Sequence, residues 1–244
     1  MSTRGHDRAL TPAGVVAVHD VTPHMRRISV VAPEFRNLGP IKPAQWMKVI
    51  FPSADNGKPA ARGYTIRAYD PVIGRIDLDF TLHGGTGPAA SWVRHAQVGE
   101  IIQLAGPGPG YDIDPRVDNH ILIGDMTALP AIAAVAAALP ATTRAAIIVE
   151  VIDARDEQPL DSAATLDVHW LHSGAEAPGT TGQIELAVQG AGLDYRKSQI
   201  LLAGEAFMVR SVLTHLLVDR GVPQTSIQSK GYWKKGTPAY RGDD

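Results

Sequence analysis

The hydrophobic pattern changes once along this chain, and that change constrains the fold more than any other feature. Over residues 13 to 112 the apolar residues come in short runs: "GVVAVHDV", "MRRISVVAP", "WMKVIF", "GYTIRAY", "RIDLDFTLH" and "EIIQLAG", with Pro, Gly, Asp and Asn between them. Six short strands with little helix between them predict a small antiparallel barrel. One helix is expected among them, "GPAASWVRHA", residues 87 to 96. After Asp118 the character differs. "HILIGD" and "AAIIVEVI" are continuous apolar runs, as in buried parallel strands. "TLDVHWLH" and "SQILLAGE" read as further strands, and "SIQSKGYWKKG" as a last one. Between them, "MTALPAIAAVAAALP" predicts a helix over 127–139, followed by the helical "QIELAVQG" and "AFMVRSVLTHLLVDRG". Strands alternating with helices predict a parallel α/β sheet. The boundary falls in the Gly/Pro/Asp-rich "PGPGYDIDPRVDN", dividing residues 1–115 from 116–244.

Composition narrows the functions such a chain can have. With 244 residues, 44% hydrophobic and 20% charged, it can bury a sizeable core. Its net charge of −2 supplies no global field for nucleic acid, so any anion must be met by local basic clusters. The absence of cysteine excludes disulfides, thiolate zinc sites and cysteine-ligated iron–sulfur clusters. The opening "MSTRGHDRAL" lacks the apolar segment of a secretory signal, and nowhere do 18 apolar residues run together. The expected location is therefore the cytoplasm, with no membrane span.

The stretch "ARGYTIRAYDP", residues 61–71, needs an explanation of its own. Alternation puts Arg62, Tyr64 and Ile66 on one side of a strand and Gly63, Thr65 and Arg67 on the other. Arginine offers a planar fork of donors that matches a pyrophosphate. A tyrosine ring can cover a flavin face, and a threonine hydroxyl can reach the flavin edge. The competing reading is a solvated edge strand with solubilising arginines.

The hexapeptide Arg62-Gly63-Tyr64-Thr65-Ile66-Arg67 resembles the Arg-x-Tyr-Thr-x-Arg flavin signature of the siderophore-interacting proteins. These are cytoplasmic ferric-siderophore reductases of the ferredoxin-reductase-like superfamily. "LHGGTGPAASWV" (82–93), "GDMTALPAI" (124–132), "LAGEAFMVRSV" (202–212) and "KGYWKKG" (230–236) resemble further motifs of the same family, in order. The resemblance implies a barrel that binds FAD, followed by an α/β domain that binds NADH or NADPH. It implies that Arg62, Gly63, Tyr64 and Thr65 hold FAD with Arg67 in support, and that His83 lies near the flavin. Gly87, Pro88 and Ala89 would bring backbone N–H groups to the FAD phosphates, as a small-residue turn opening a helix allows. Ser91 and Trp92 would line the same region.

At the strand ends, Gly124, Asp125, Thr127, Gly204 and Glu205 are expected to face the nucleotide or the flavin edge. A helix-capping role for Asp125 or Thr127 is compatible with that. The family often has Glu where this chain has Met126, so no charged role is expected there.

A ferric siderophore is typically anionic, so the resemblance implies a basic pocket beside the flavin. Lys48, Trp233, Lys234 and Lys235 are its candidates, and Lys230 lies close in sequence. Many relatives have arginine in the last of these lysine positions, and lysine keeps the charge without the bidentate fork. Relatives also carry a basic residue in the loop matching "GPGPGY", where this chain has Gly108 and Pro109. "GPGPGY" is otherwise a turn, not a dinucleotide fingerprint. His169-x-x-His172 suggests no third ligand, so no metal site is expected, and Arg241-Gly242-Asp243 reads as a solvated tail.

The implied activity is electron transfer from NADH or NADPH through FAD to Fe(III)-siderophore, releasing Fe(II), with no side chain needed as a general acid or base. The alternative is a flavin-dependent electron-transfer enzyme served by ferredoxin or another protein partner. A non-enzymatic flavin or siderophore binder would not need the second domain.

Overall fold

The computed structural model describes residues 9–51, 59–85, 87–238 and 240. All six early runs form strands: β1 (Thr11–Thr22), β2 (Met25–Val31), β3 (Trp46–Phe51), β4 (Ala60–Asp70), β5 (Arg75–Thr81) and β6 (Ile101–Ala105). They close into an antiparallel barrel in the order β1-β2-β5-β4-β3-β6, which leaves no unpaired edge. Met47, Val49, Ile66, Ile76, Leu78 and Phe80 fill its interior. The helix expected at 87–96 is α1 (Pro88–His95).

The second half is an entirely parallel sheet. Its strands are β7 (Asn119–Asp125), β8 (Arg144–Val151), β9 (Thr165–His172), β10 (Ser198–Glu205) and β11 (Ile227–Trp233), in the order β11-β10-β7-β8-β9. β9 is an edge strand, so its side chains alternate between half-buried and exposed while β7 and β8 are buried throughout most of their length.

The expected Ala-rich helix is α2 (Leu129–Ala138), two residues shorter at its start because a turn at 126–128 links it to β7. Ala131, Ile132, Ala133, Val135 and Ala136 are all buried, so α2 is enclosed on most sides until its last turn, where Ala137 and Ala138 are exposed. One side meets the sheet and the other meets β4 of the barrel. The remaining helices, α3 (Gln183–Gly190) and α4 (Ala206–Thr214), cover the opposite face. The long helix expected over "AFMVRSVLTHLLVDRG" is α4 continued by a π-helical turn, His215–Asp219.

Sheet order reverses at β7, whose neighbours are β8 on one side and β10 on the other. Ligands of open α/β sheets bind outside the carboxyl ends of the strands at such a point. The connection between the halves runs from the end of β6 at Ala105 to the start of β7 at Asn119, and we place the boundary within it at 115/116. The two halves share one core, since Met25, Ala44 and Tyr111 cluster with Leu122, Leu129 and Ile132. A buried carboxylate also ties them: Asp156 accepts from Thr22 Oγ1 at 2.8 Å and His24 N at 3.1 Å, and its Oδ2 lies 2.8 Å from His24 Nδ1. Arg241-Gly242-Asp243 lies outside the described residues.

Candidate functional site

β3 and β4 pair with Trp46 opposite Thr65, Met47 opposite Tyr64, Lys48 opposite Gly63 and Val49 opposite Arg62. Met47 and Val49 are core residues, so Tyr64 and Arg62 take the barrel side and Thr65, Gly63, Trp46 and Lys48 the outer side. Tyr64 packs edge-to-face on Phe51 at 5.9 Å and tilts onto Phe80 at 4.3 Å. Burial raises its phenol above the usual range, so the ring acts as an apolar surface. Arg62 is half-buried and donates Nη1–H to Ala61 O at 2.8 Å.

Thr65 faces outward yet is only 7% exposed, because the α/β half covers it. Its hydroxyl lies beside the Tyr232 phenol, whose pKa burial pushes up to about 12, with the Thr65 hydrogen bond acting the other way. Arg67 is placed apart from Arg62 and Tyr64. It lies near Arg27, which is paired with Asp79 at 2.6 and 2.8 Å, and near Asp161 of the second half. Desolvation, then Arg27, holds its pKa below the ordinary arginine value.

α1 begins at an extended Gly87 with Pro88 in its first turn. No side chain caps it and no acid lies in its first turn. Among the described residues, a Cβ built at Gly84 or Gly87 meets nothing within 4 Å, which leaves them open on that side of the helix start. Arg94 Nη1 ties the preceding loop down through Gly85 O at 2.8 Å and His83 O at 3.3 Å. His83 is exposed at one edge, and partial desolvation, then Arg94, lowers its pKa below the usual value. Ser91 is exposed on the same helix. Trp92 is turned into the barrel's aromatic cluster, 5.6 Å from Phe51 and 6.1 Å from Phe80, with its indole N–H on Glu100 at 3.0 Å.

This donor set fits FAD. It combines a guanidinium fork, an uncapped helix start opened by glycine, an aromatic face and a hydroxyl at the strand edge.

The carboxyl ends of β7 and β10 meet at one buried group. Asp125 is 0% exposed. Its Oδ1 accepts from Thr127 N at 2.8 Å and Thr127 Oγ1 at 2.6 Å. Its Oδ2 accepts from Glu205 N at 2.7 Å and Trp233 Nε1 at 2.9 Å. Burial raises its pKa to about 6 against the pull of those donors.

Glu205 is buried too and caps α4, accepting from Met208 N at 3.0 Å and Phe207 N at 2.5 Å, while its Oε1 accepts from Lys235 N at 3.0 Å. Gly124 is required here, since a Cβ would lie 2.5 Å from Ala203 O. Met126 is a core residue, consistent with no charged role. Gly179, from the loop after β9, seats against both acids, and its N–H donates to the buried Glu150 at the end of β8. Asp125 and Glu205 thus face inward, with their oxygens used by the protein itself.

Lys48 is exposed on the outer face of β3, next but one to Trp46. The Trp46 ring lies against Gly63 and Gly108, and Lys230 Nζ sits over it at 5.2 Å. Trp46 and Tyr232 therefore join the site, although sequence reading assigned neither a role, and Lys230, one of the basic residues it noted beside Tyr232 and Trp233, joins them. The one available signal was the Trp46-x-Lys48 spacing, which puts both on one face of a strand. Gly108 lets its loop pack on Trp46, since a Cβ there would lie 2.1 Å from the ring.

Lys234 Nζ lies over the exposed Phe207 ring at 4.8 Å. Lys235 Nζ points to Glu176 and Thr180, both at 3.4 Å. His169 and His172 face Asp167 and Glu157, and no group of metal ligands forms among the described residues. No helix among them is long and apolar enough to cross a membrane.

Comparison with known proteins agrees with this arrangement. The Siderophore-interacting protein family matches residues 117–236, and the Siderophore-interacting FAD-binding domain matches 14–61 and 54–111. The chain is 31% identical over 191 residues to the ferric vibriobactin reductase ViuB of Vibrio cholerae, covering 78% of this chain and 69% of that protein. The crystal structure of a siderophore utilization protein from T. fusca superposes with a TM-score of 0.86 at 27% identity, covering 98% of each chain. The ferredoxin reductase of carbazole 1,9a-dioxygenase shares the fold, with a TM-score of 0.71 at 21% identity, over 92% of this chain and 70% of that one. An FAD-binding barrel joined to a ferredoxin-reductase-like α/β half, matched by family over both parts, establishes that the chain belongs to the siderophore-interacting proteins.

Proposed function

We propose that this protein is a ferric-siderophore reductase that takes electrons from NADH or NADPH and acts in the cytoplasm. The observation that carries the reading is the β3–β4 register. It sets the exposed Lys48 directly opposite Gly63 of the flavin-binding motif, on the face that also holds Trp46 and Lys230. An anionic iron complex held there would lie beside the flavin strand.

FAD, when bound, supplies the conversion between a two-electron donor and a one-electron acceptor. Arg62 and the start of α1 hold its phosphates, Tyr64 offers an apolar face, and Thr65, shielded by Tyr232, offers a hydroxyl away from bulk water. His83 and Ser91 border that site. Lys48 and Lys230 draw the ferric complex in, and Trp233 with Lys234 borders it from the end of β11. Fe(II) binds hard oxygen ligands far less tightly than Fe(III), so reduction releases the metal. The fold shared with ferredoxin reductases supports a nucleotide at the β7–β10 switch point.

One observation favours a second reading, with a reduced ferredoxin as donor. Gly179 occupies that switch point in close contact with Asp125 and Glu205. An anaerobic titration decides between them. Flavin absorbance should bleach with NADH or NADPH and recover on adding a ferric siderophore. Bleaching by reduced ferredoxin alone would assign a protein donor, and a protein that takes up no FAD would overturn the reading.

A further inference from the structure

Asp125 ends the first strand of the α/β sheet, where a carboxylate would be expected to touch the nucleotide. Its surroundings argue otherwise. A carboxylate offers about four lone-pair sites, and Thr127 N, Thr127 Oγ1, Glu205 N and Trp233 Nε1 fill them. Two glycines seal the remaining approach. A Cβ built at Gly179 or Gly204 would lie 2.6 Å from Oδ2 in each case. No acceptor capacity is left for a ligand.

The acid must therefore act on one of its own donors. Thr127 belongs to the adjoining turn, and Glu205 is already fixed as the last residue of β10 and the cap of α4. Trp233 is different. It is the last residue of β11, paired with Glu205 beyond a break in register at Gly204. Ladder hydrogen bonds fix its backbone but not its ring. The indole N–H is that ring's only polar handle, and a buried carboxylate is the strongest acceptor it can meet.

We propose that Asp125 is a positioning residue that holds the Trp233 indole at the border of the acceptor site, and is not itself a contact for the nucleotide. The proposal rests on the reading that Trp233 borders the ferric complex. The test uses the FAD-loaded protein and gallium(III) tris-catecholate, a complex with the charge and shape of its ferric counterpart that accepts no electron.

Asp125→Asn presents an amide N–H₂ to two of the four donors whichever way it turns. Trp233→Phe removes the indole N–H from the other side and keeps the proposal testable if the first variant folds poorly. Each should weaken gallium-complex binding about tenfold, the loss expected for one charge-assisted hydrogen bond. The double variant should bind no worse than the weaker single. Asp125→Asn should lose the same near-ultraviolet circular dichroism band that Trp233→Phe loses, and its KM for NADH or NADPH should stay unchanged.

A raised nucleotide KM with intact gallium binding would make Asp125 a nucleotide contact and overturn the proposal. Additive losses, or a retained tryptophan band, would overturn it as well. If the wild-type protein holds FAD but does not bind the gallium complex, the acceptor site fails, and the tryptophan band still decides whether Asp125 sets the indole.

Discussion

Lys48 and Asp125 show how differently two charged residues behave in one site. Lys48 stays on the outer barrel face, exposed, so its charge is available to a ligand. Lys48→Ala should raise KM for an anionic ferric siderophore several-fold, as a lost exposed ion pair worth up to about 1 kcal/mol predicts. Flavin content should not change, and an unaltered KM would reduce Lys48 to a surface lysine.

Asp125 is enclosed, and burial shifts its pKa up to about 6 from 3.8. The native state therefore binds the proton more tightly than the unfolded chain. The stabilisation from that proton is complete below the unfolded value and is lost as pH rises through the folded one. Relative to Asp125→Asn, the wild type should gain about 1.4 kcal/mol between pH 7.5 and pH 5, read from urea unfolding of both proteins. Equal pH slopes would show that the carboxyl is not shifted.

The elements owe their form to what covers them. α2 lies between the sheet and β4, and alanine lets both neighbours approach closely. Ala131 is fully buried and Ala137 is exposed on the same helix. Ala131→Leu should cost about 1–3 kcal/mol through overpacking. Ala137→Leu should stay within about 0.5 kcal/mol of wild type. Urea unfolding of the pair tests whether the buried sides of α2 set the spacing between the halves. β4 shows the same dependence, since its outward Thr65 is buried where α2 packs on the strand and β11 delivers Tyr232 to it.

At the scale of the molecule, the barrel and the α/β half share one core and one buried carboxylate. Asp156 is 0% exposed and serves Thr22 and His24 from across the boundary. Asp156→Ala would strand a buried hydroxyl and a backbone N–H, a loss of about 2–4 kcal/mol. Scanning calorimetry should show a lower transition for this variant, broadened or split as the two halves uncouple. A single transition at the wild-type temperature would mean that the core alone holds them together.

Local pattern was enough to identify every strand of both halves and the helices α1 to α4, because period and turn residues act within a few positions of one another. That the first half is an FAD-binding domain was legible for a related reason, since the motif Arg62-Gly63-Tyr64-Thr65-Ile66-Arg67 lies within one strand. The extent of α2 and the π-helical end of α4 were not, because helix ends depend on what packs around them. Nor could periodicity show that Arg67 turns to the seam beside Arg27, that Trp92 joins the aromatic cluster, or that Asp125 spends its oxygens on the protein. Those outcomes depend on contacts between residues far apart in sequence: Arg67 with Arg27, Trp92 with Phe51, and Asp125 with Trp233, 108 positions away. A strand's own sequence sets which side each residue faces, whereas only the assembled halves determine whether that side meets solvent, a ligand or another part of the chain.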